Sequence, residues 1–263
     1  MNCLICNRTT TYFFYKAFHL NGLEGCNYYK CNNCGFVYSK THYLMDEQAW
    51  IELNHCHVEY QGTEYNWHDP RWLERLQAQA KIFKDCCDLN LLAVNGKWLD
   101  YACSNRKLSD LLNGQQELLK YDKFMSKSDG YLNDKEINSQ QFDFVITTSV
   151  FEHFRERKNF DFVHSLVADD GVMGLHTLVR EDVPNDPEWF YLSPTHCSFH
   201  TNKSMSLLLE QWGYVESIYN VEARLWLFFK PNSKNVEQIV EMANMRIDKP
   251  TYIYKKGFVD YWK

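Results

Sequence analysis

From residue 95 onward, short apolar runs alternate with amphipathic segments, and this rhythm restricts the possible folds more than any other feature of the chain. KWLDY (97–101) reads as a strand, followed by a short helix carrying Leu108, Leu111 and Leu112 that closes at Asn113-Gly114. ELLKYD (117–122) is a second strand, and FDFVITTSV (142–150) is almost continuously apolar, as a strand covered on both faces must be. A helix runs to about Leu166, a strand starts at Gly171, and a helix over 202–212 stops at Gly213, where a left-handed cap suits glycine. YVESIYN and RLWLFFK follow so closely that they must form an antiparallel hairpin. Strands alternating with helices predict a parallel sheet covered on both sides, with ligands bound outside the carboxyl ends of its strands. The informative residues are then those just after 101, 122 and 150.

The flanks read differently. Residues 1–45 lack helix signals and are expected to form loops and short strands. Asp69-Pro70 opens a helix, with Asp as the cap and Pro at the first helical position, and Trp72, Leu73, Leu76, Ala80 and Phe83 form its apolar stripe. Beyond Pro231, the spacing of Val236, Ile239, Val240, Ala243 and Ile247 predicts a helical tail. The expected organisation is an N-terminal element (1–45), a helical connector (46–94), an α/β domain (95–231) and a C-terminal helical tail (232–263).

Ten cysteines are present, and five fall in the first 34 residues. Cys3-x-x-Cys6 and Cys31-x-x-Cys34 are two pairs separated by 24 residues. Each pair brings two thiolates together from one turn, and four thiolates in a tetrahedron fit Zn²⁺ with no open position, so the metal is expected to be structural. This reading suits a cytoplasmic chain, where disulfides are uncommon, and MNCLICNRTT has no secretory signal pattern. No apolar run is long enough to span a bilayer. With 28 Lys+Arg against 34 Asp+Glu, the net charge of −6 argues against a nucleic-acid partner, and the N-terminal element carries few cations of its own.

In WLDYACSNRKLSDLL an acidic residue, Asp100, ends a strand, small residues form the turn, and a helix starts at once. Asp122 ends the next strand 22 residues later, placed to accept two ribose hydroxyls. The turn lacks the G-x-G-x-x-G that would cradle a dinucleotide. Over roughly residues 95–231 the sequence resembles class I S-adenosylmethionine-dependent methyltransferases. Leu99, Asp100, Ala102, Ser104 and Arg106 fall on the family's first motif, with Ala102 and Ser104 in place of two glycines. Residues 142–154, FDFVITTSVFEHF, match a family segment closely, and YLSPTHCSFHTNKSMSLLLEQWGY resembles a stretch found in one branch. That branch often carries an N-terminal pair of CxxC motifs and includes enzymes acting on activated sugars, glycans and lipid-type acceptors.

The resemblance implies an α/β fold, a Rossmann-like seven-stranded mixed sheet with a small N-terminal zinc-ribbon element. Its third strand would be short, around Tyr131-Leu132. The resemblance also implies S-adenosylmethionine as cofactor, held by Asp100, Ala102, Ser104, Asp122, Ser149 and, toward the adenine, Asp134. The implied reaction is methyl transfer to a small-molecule or saccharide-like acceptor. The alternative is a catalytically inactive relative that uses the cleft and its zinc site as a scaffold. An oxygen acceptor needs a base, and histidine titrates in the useful range. His153, directly after the fourth strand, and His196, expected in a loop over the pocket with His200, are the candidates, with Trp189-Phe190-Tyr191 as a substrate wall.

Overall fold

The computed structural model describes residues 2–60, 70–104, 107–112, 114, 116–124, 128–231, 234–247 and 249–261. It opens with an antiparallel hairpin of β1 (Thr10–Leu20) and β2 (Leu23–Cys31), longer strands than residues 1–45 were expected to hold. Register shifts between Tyr12 and Phe14 and between Ala17 and Leu20 break the period-two alternation that would have exposed β1 in the sequence. Next come β3 (Val37–Ser39), α1 (Lys40–Leu44), α2 (Glu47–Tyr60) and α3 (Pro70–Asp88). The last begins at the expected proline, while Asp69 lies outside the described residues.

The alternating part follows as β4 (Trp98–Tyr101), α4 (Lys107–Leu112), β5 (Leu118–Tyr121), α5 (Asp134–Ile137) and β6 (Phe142–Thr148). A 3₁₀ turn at Phe151–His153 leads to α6 (Arg157–Ser165), β7 (Val167–His176), the short β8 (Val179–Arg180), β9 (Ser198–Thr201) and α7 (Asn202–Gln211). The chain ends with β10 (Glu216–Asn220), β11 (Leu225–Phe229), α8 (Val236–Asn244) and β12 (Tyr252–Lys256).

Seven strands form the main sheet in the order β12-β10-β11-β7-β6-β4-β5. β5, β4, β6 and β7 run parallel, and β11, β10 and β12 join them antiparallel. The mixed seven-stranded sheet is therefore as expected, but one strand has a different origin. Tyr131-Leu132 forms no strand: Leu132 N donates to Lys120 O at 2.7 Å, while Tyr131 N turns back to Ser128 O at 3.3 Å. The seventh strand is β12, taken from the segment read as a purely helical tail and laid on the opposite edge beside β10. Chain direction leaves β4 toward β5 on one side and toward β6 on the other, so the switch point lies over the carboxyl ends of β4 and β6.

One face of the sheet packs Leu76 and Phe83 of α3, Leu108 of α4 and Val240 of α8 against Trp98, Phe144 and Leu227. The other face carries Phe160 and Val163 of α6 and Met205 and Leu208 of α7, in one cluster with Cys3, Cys34 and Phe36. The cysteine-bearing element is thus built into the main core. β3 also pairs with β9, giving a second sheet ordered β1-β2-β3-β9-β8 that ties the N-terminal hairpin to the segment after β7. Aromatic residues make up 16% of the sequence, and several of them gather here. Phe14, Tyr28, Trp189 and Phe199 fill the core of this second sheet, and each such buried ring contributes about 1.5–3 kcal/mol by removal from water.

Candidate functional site

The carboxyl ends of β4, β5 and β6 open into a cleft of about 630 Å³. Its walls include Ala102, Tyr121, Asp122, Ser149 and His153, and on the far side Trp50, Asn54 and Arg155. Three wall or turn residues have left-handed backbones without being glycine: Ala102 (φ 57°) and Ser104 (φ 46°) after β4, and Ser149 (φ 57°) after β6. Such strain persists only where surroundings over-determine it, and it concentrates at functional sites. The surroundings do so here. Tyr121 O accepts from Ala102 N at 2.7 Å, Asp122 Oδ2 accepts from Ser104 N at 3.1 Å, and Tyr131 Oη donates to Ser104 O at 2.5 Å. Ser149 N donates to His176 O at 2.8 Å.

Ala102 and Ser104 therefore keep the conformation for which glycine would be the relaxed choice. A left-handed conformation costs a non-glycine residue about 1–2 kcal/mol, against about 0.5–1 kcal/mol of extra chain entropy for glycine. Ala102→Gly and Ser104→Gly are each expected to raise stability by up to about 1 kcal/mol, read as a higher thermal midpoint with unchanged far-ultraviolet dichroism. A lower midpoint in both variants would show that the turn is not strained.

Asp100 is 3% exposed, and its Oδ1 has no hydrogen-bond partner. Burial first, and the neighbouring Asp122 second, push its carboxyl up to about 8. Asp122 lines the cleft and braces the turn, with Oδ1 accepting from Phe124 N at 2.9 Å and Oδ2 from Ser104 N. Asp134 is not brought to the cleft: it starts α5, and its Oδ1 accepts from Tyr121 Oη at 2.8 Å. Asp100 and Ser104 stand behind the wall rather than in it.

The histidines separate by environment. His153 lines the cleft, and its Nδ1 donates to Thr195 O at 3.0 Å. His196 stands behind it, ring centroids 4.8 Å apart and nearly perpendicular, with Nδ1 donating to Tyr191 O at 2.7 Å. Burial lowers the pKa of His196. His200 is not in a loop over the pocket. It lies on β9, 1% exposed among Phe36, Phe151 and Phe160, and burial pushes it down to about 3, so it is a neutral core residue. Nor do the three aromatics at 189–191 form the wall. Trp189 packs on Phe199, Phe190 is 78% exposed, and Tyr191 Oη donates to Glu152 Oε1 at 2.6 Å. Trp50 lines the cleft instead, with the Arg155 guanidinium 4.9 Å from its ring centroid and hydrogen-bonded to Met45 O and Glu47 Oε2. Arg155 was findable, two residues beyond His153 and directly after the family-like segment; Trp50, from a helix distant in sequence, left no signal.

Cys3, Cys6, Cys31 and Cys34 converge, with Sγ separations of 3.5–3.7 Å for Cys6–Cys31, Cys3–Cys34 and Cys6–Cys34. A tetrahedral zinc with Zn–S of about 2.3 Å requires thiolates about 3.8 Å apart, so the donor set fits the ion. Ile5 N points at Cys3 Sγ, and Asn33 N and Cys34 N at Cys31 Sγ, within 3.4–3.5 Å, as backbone donors do around zinc-bound thiolates. Gly35, with φ 73°, closes the second turn. The exposed Cys56 stays apart from this cluster.

No curated protein is similar to the chain in sequence. Among solved structures, the complex of DhpI with SAH is 16% identical with a TM-score of 0.45, over 72% of this chain and 100% of that one. Magnesium protoporphyrin IX methyltransferase (ChlM) from Synechocystis PCC 6803 with bound SAH is 10% identical, with a TM-score of 0.44 over 69% and 95% of the two chains. The [4+2]-cyclase SpnF is 11% identical with a TM-score of 0.40, and the match spans 56% of this chain and 62% of that protein. The profile of the methyltransferase-domain family matches residues 55–215, which is more than half of the sequence, and by that match the chain belongs to this family.

Proposed function

We propose that the protein transfers a methyl group from S-adenosylmethionine to a small-molecule or saccharide-like acceptor. The observation that carries this reading is the strained turn of Ala102 and Ser104, braced by Asp122, at the end of β4 in a family-matched domain. Ala102, Asp122 and Ser149 would meet the cofactor, with Asp122 accepting from the ribose hydroxyls and Asp100 supplying a buried polar atom beneath the turn. The bound cofactor supplies an electrophilic methyl on a sulfonium. The chain supplies position and a proton acceptor: Trp50, Arg155 and Asn54 form the acceptor wall. With its Nδ1 proton on Thr195 O, His153 carries its basic lone pair on Nε2. His196, one ring further back, positions His153 rather than touching the acceptor. The four-cysteine centre holds zinc as a structural ion.

A second reading, a scaffold that has lost catalysis, is favoured by the two Cβ atoms at Ala102 and Ser104 where the resembled motif has glycine. Calorimetric titration with S-adenosylmethionine, followed by transfer of labelled methyl to a panel of hydroxylated small molecules and sugar derivatives, separates them. Binding in the micromolar range with transfer to at least one class is expected. Absence of binding at millimolar cofactor would leave the scaffold.

A further inference from the structure

One donor atom each from Glu152, His153 and His196 lies within 4.8 Å of the others. We infer that these three residues form a second metal site, for a divalent first-row transition cation, where the 3₁₀ turn meets the cleft. Two histidine nitrogens and one carboxylate are a donor set for such ions, and three protein ligands leave further positions for oxygen donors. His153 lines the cleft, so those positions face the acceptor side.

Three independent features support the site. First, each imidazole has its Nδ1–H directed at a backbone carbonyl, Thr195 O for His153 and Tyr191 O for His196, which puts the lone pair on Nε2. That is the arrangement which orients metal-ligating histidines. Second, Glu152 is held in the same way, Oε1 by Tyr191 Oη at 2.6 Å and Oε2 by Thr177 Oγ1 at 2.9 Å. Tyr191 therefore braces two of the three ligands, through its hydroxyl and its carbonyl. Third, Glu152 is 1% exposed, and among the described residues no Lys or Arg forms an ion pair with it. A buried carboxylate without a positive partner is expensive, and a bound cation supplies that partner. The site is separate from the four cysteines and does not depend on the transfer reaction. When a cation is bound, His153 acts through it as a ligand instead of as the free base.

The test is equilibrium dialysis of the full chain against Zn²⁺, with wild type compared to Glu152→Gln and His196→Gln, both checked for folding by circular dichroism. About two zinc equivalents are expected in wild type and about one in each variant, the thiolate-bound ion remaining. After the weaker equivalent is removed by a chelator, added Co²⁺ should produce visible ligand-field bands in wild type without a thiolate charge-transfer band, and none in the variants. One equivalent in wild type, or cobalt bands that persist in His196→Gln, would overturn the site. Should Glu152→Gln fail to fold, His196→Gln alone decides, because that residue is only partly buried.

Discussion

Cys31→Ser is expected to abolish zinc retention at the four-cysteine centre and to lower the thermal midpoint by about 10 °C or more. Structural zinc sites contribute about 10–16 kcal/mol of apparent binding free energy in isolated fingers, and a hydroxyl does not replace a thiolate ligand. In this chain the loss cannot remain local. Cys31 closes β2, and Cys34 O accepts from Thr201 Oγ1, the residue that caps α7. Arg157 Nη1 and Gln211 Nε2 both donate to Ile5 O, tying the first cysteine turn to α6 and α7. Phe36, two residues past Cys34, is fully buried and contacts Phe160 and His200. Losing even about 3–5 kcal/mol from this junction shifts a domain of this size by about 2–4 °C per kcal/mol. The checks are metal analysis and thermal unfolding followed by circular dichroism, with Cys56→Ser, an exposed cysteine, as a variant that should keep both zinc and midpoint. A Cys31→Ser protein that melts with the wild type would show that the cysteines pack without stabilising metal.

Where the sequence was readable, one local pattern dictated the outcome. FDFVITTSV can only be a strand covered on both faces, and β6 is buried at five of its seven positions. Gly213 adopts φ 76° directly behind α7, and the hairpin of β10 and β11 follows because four intervening residues allow nothing else. The cysteine pairs were legible because two thiolates at that spacing must share a turn. What escaped depended on partners far away in the chain. β12 pairs with β10 across more than thirty residues, and nothing in YIYKK reveals that this edge is unclaimed. His200 looked like its neighbour His196 until β9 turned it inward onto Phe36, whereas His196 turned toward Glu152. Asp134 was assigned toward the adenine because a third strand was expected before it. Without that strand, the carboxylate is bound to Tyr121 instead. The metal-ligating potential of Glu152 was hidden for the same reason: its two histidine partners come from opposite sides of a 42-residue excursion, joined by the Thr195–His153 hydrogen bond.

Asp122→Ala is expected to weaken S-adenosylmethionine binding by about 100-fold or more while leaving the protein folded. A carboxylate at the end of the second parallel strand can accept from both ribose hydroxyls. Hydrogen bonds to a charged group are worth about 1.5–3 kcal/mol each, so losing two exceeds the 2.7 kcal/mol or so that corresponds to 100-fold in affinity. The structural role of the same side chain is smaller. Its Oδ2 accepts from Ser104 N and its Oδ1 from Phe124 N, both partners in loops that water can reach, so their loss amounts to about 1–2 kcal/mol of stability. The removal of negative charge beside Asp100 works in the opposite direction, because Asp122 is one of the two causes that raise the Asp100 pKa. Affinity and stability should therefore separate: a large rise in Kd by calorimetry, with a midpoint only a few degrees lower. Asp122→Asn keeps one acceptor oxygen and should fall between wild type and alanine. Asp134→Ala, which removes the partner of Tyr121 Oη outside the cleft, should alter Kd by less than the asparagine variant does. An Asp122→Ala protein that binds the cofactor as tightly as wild type would remove the ribose from this strand end, and with it the assignment of the braced turn to the cofactor.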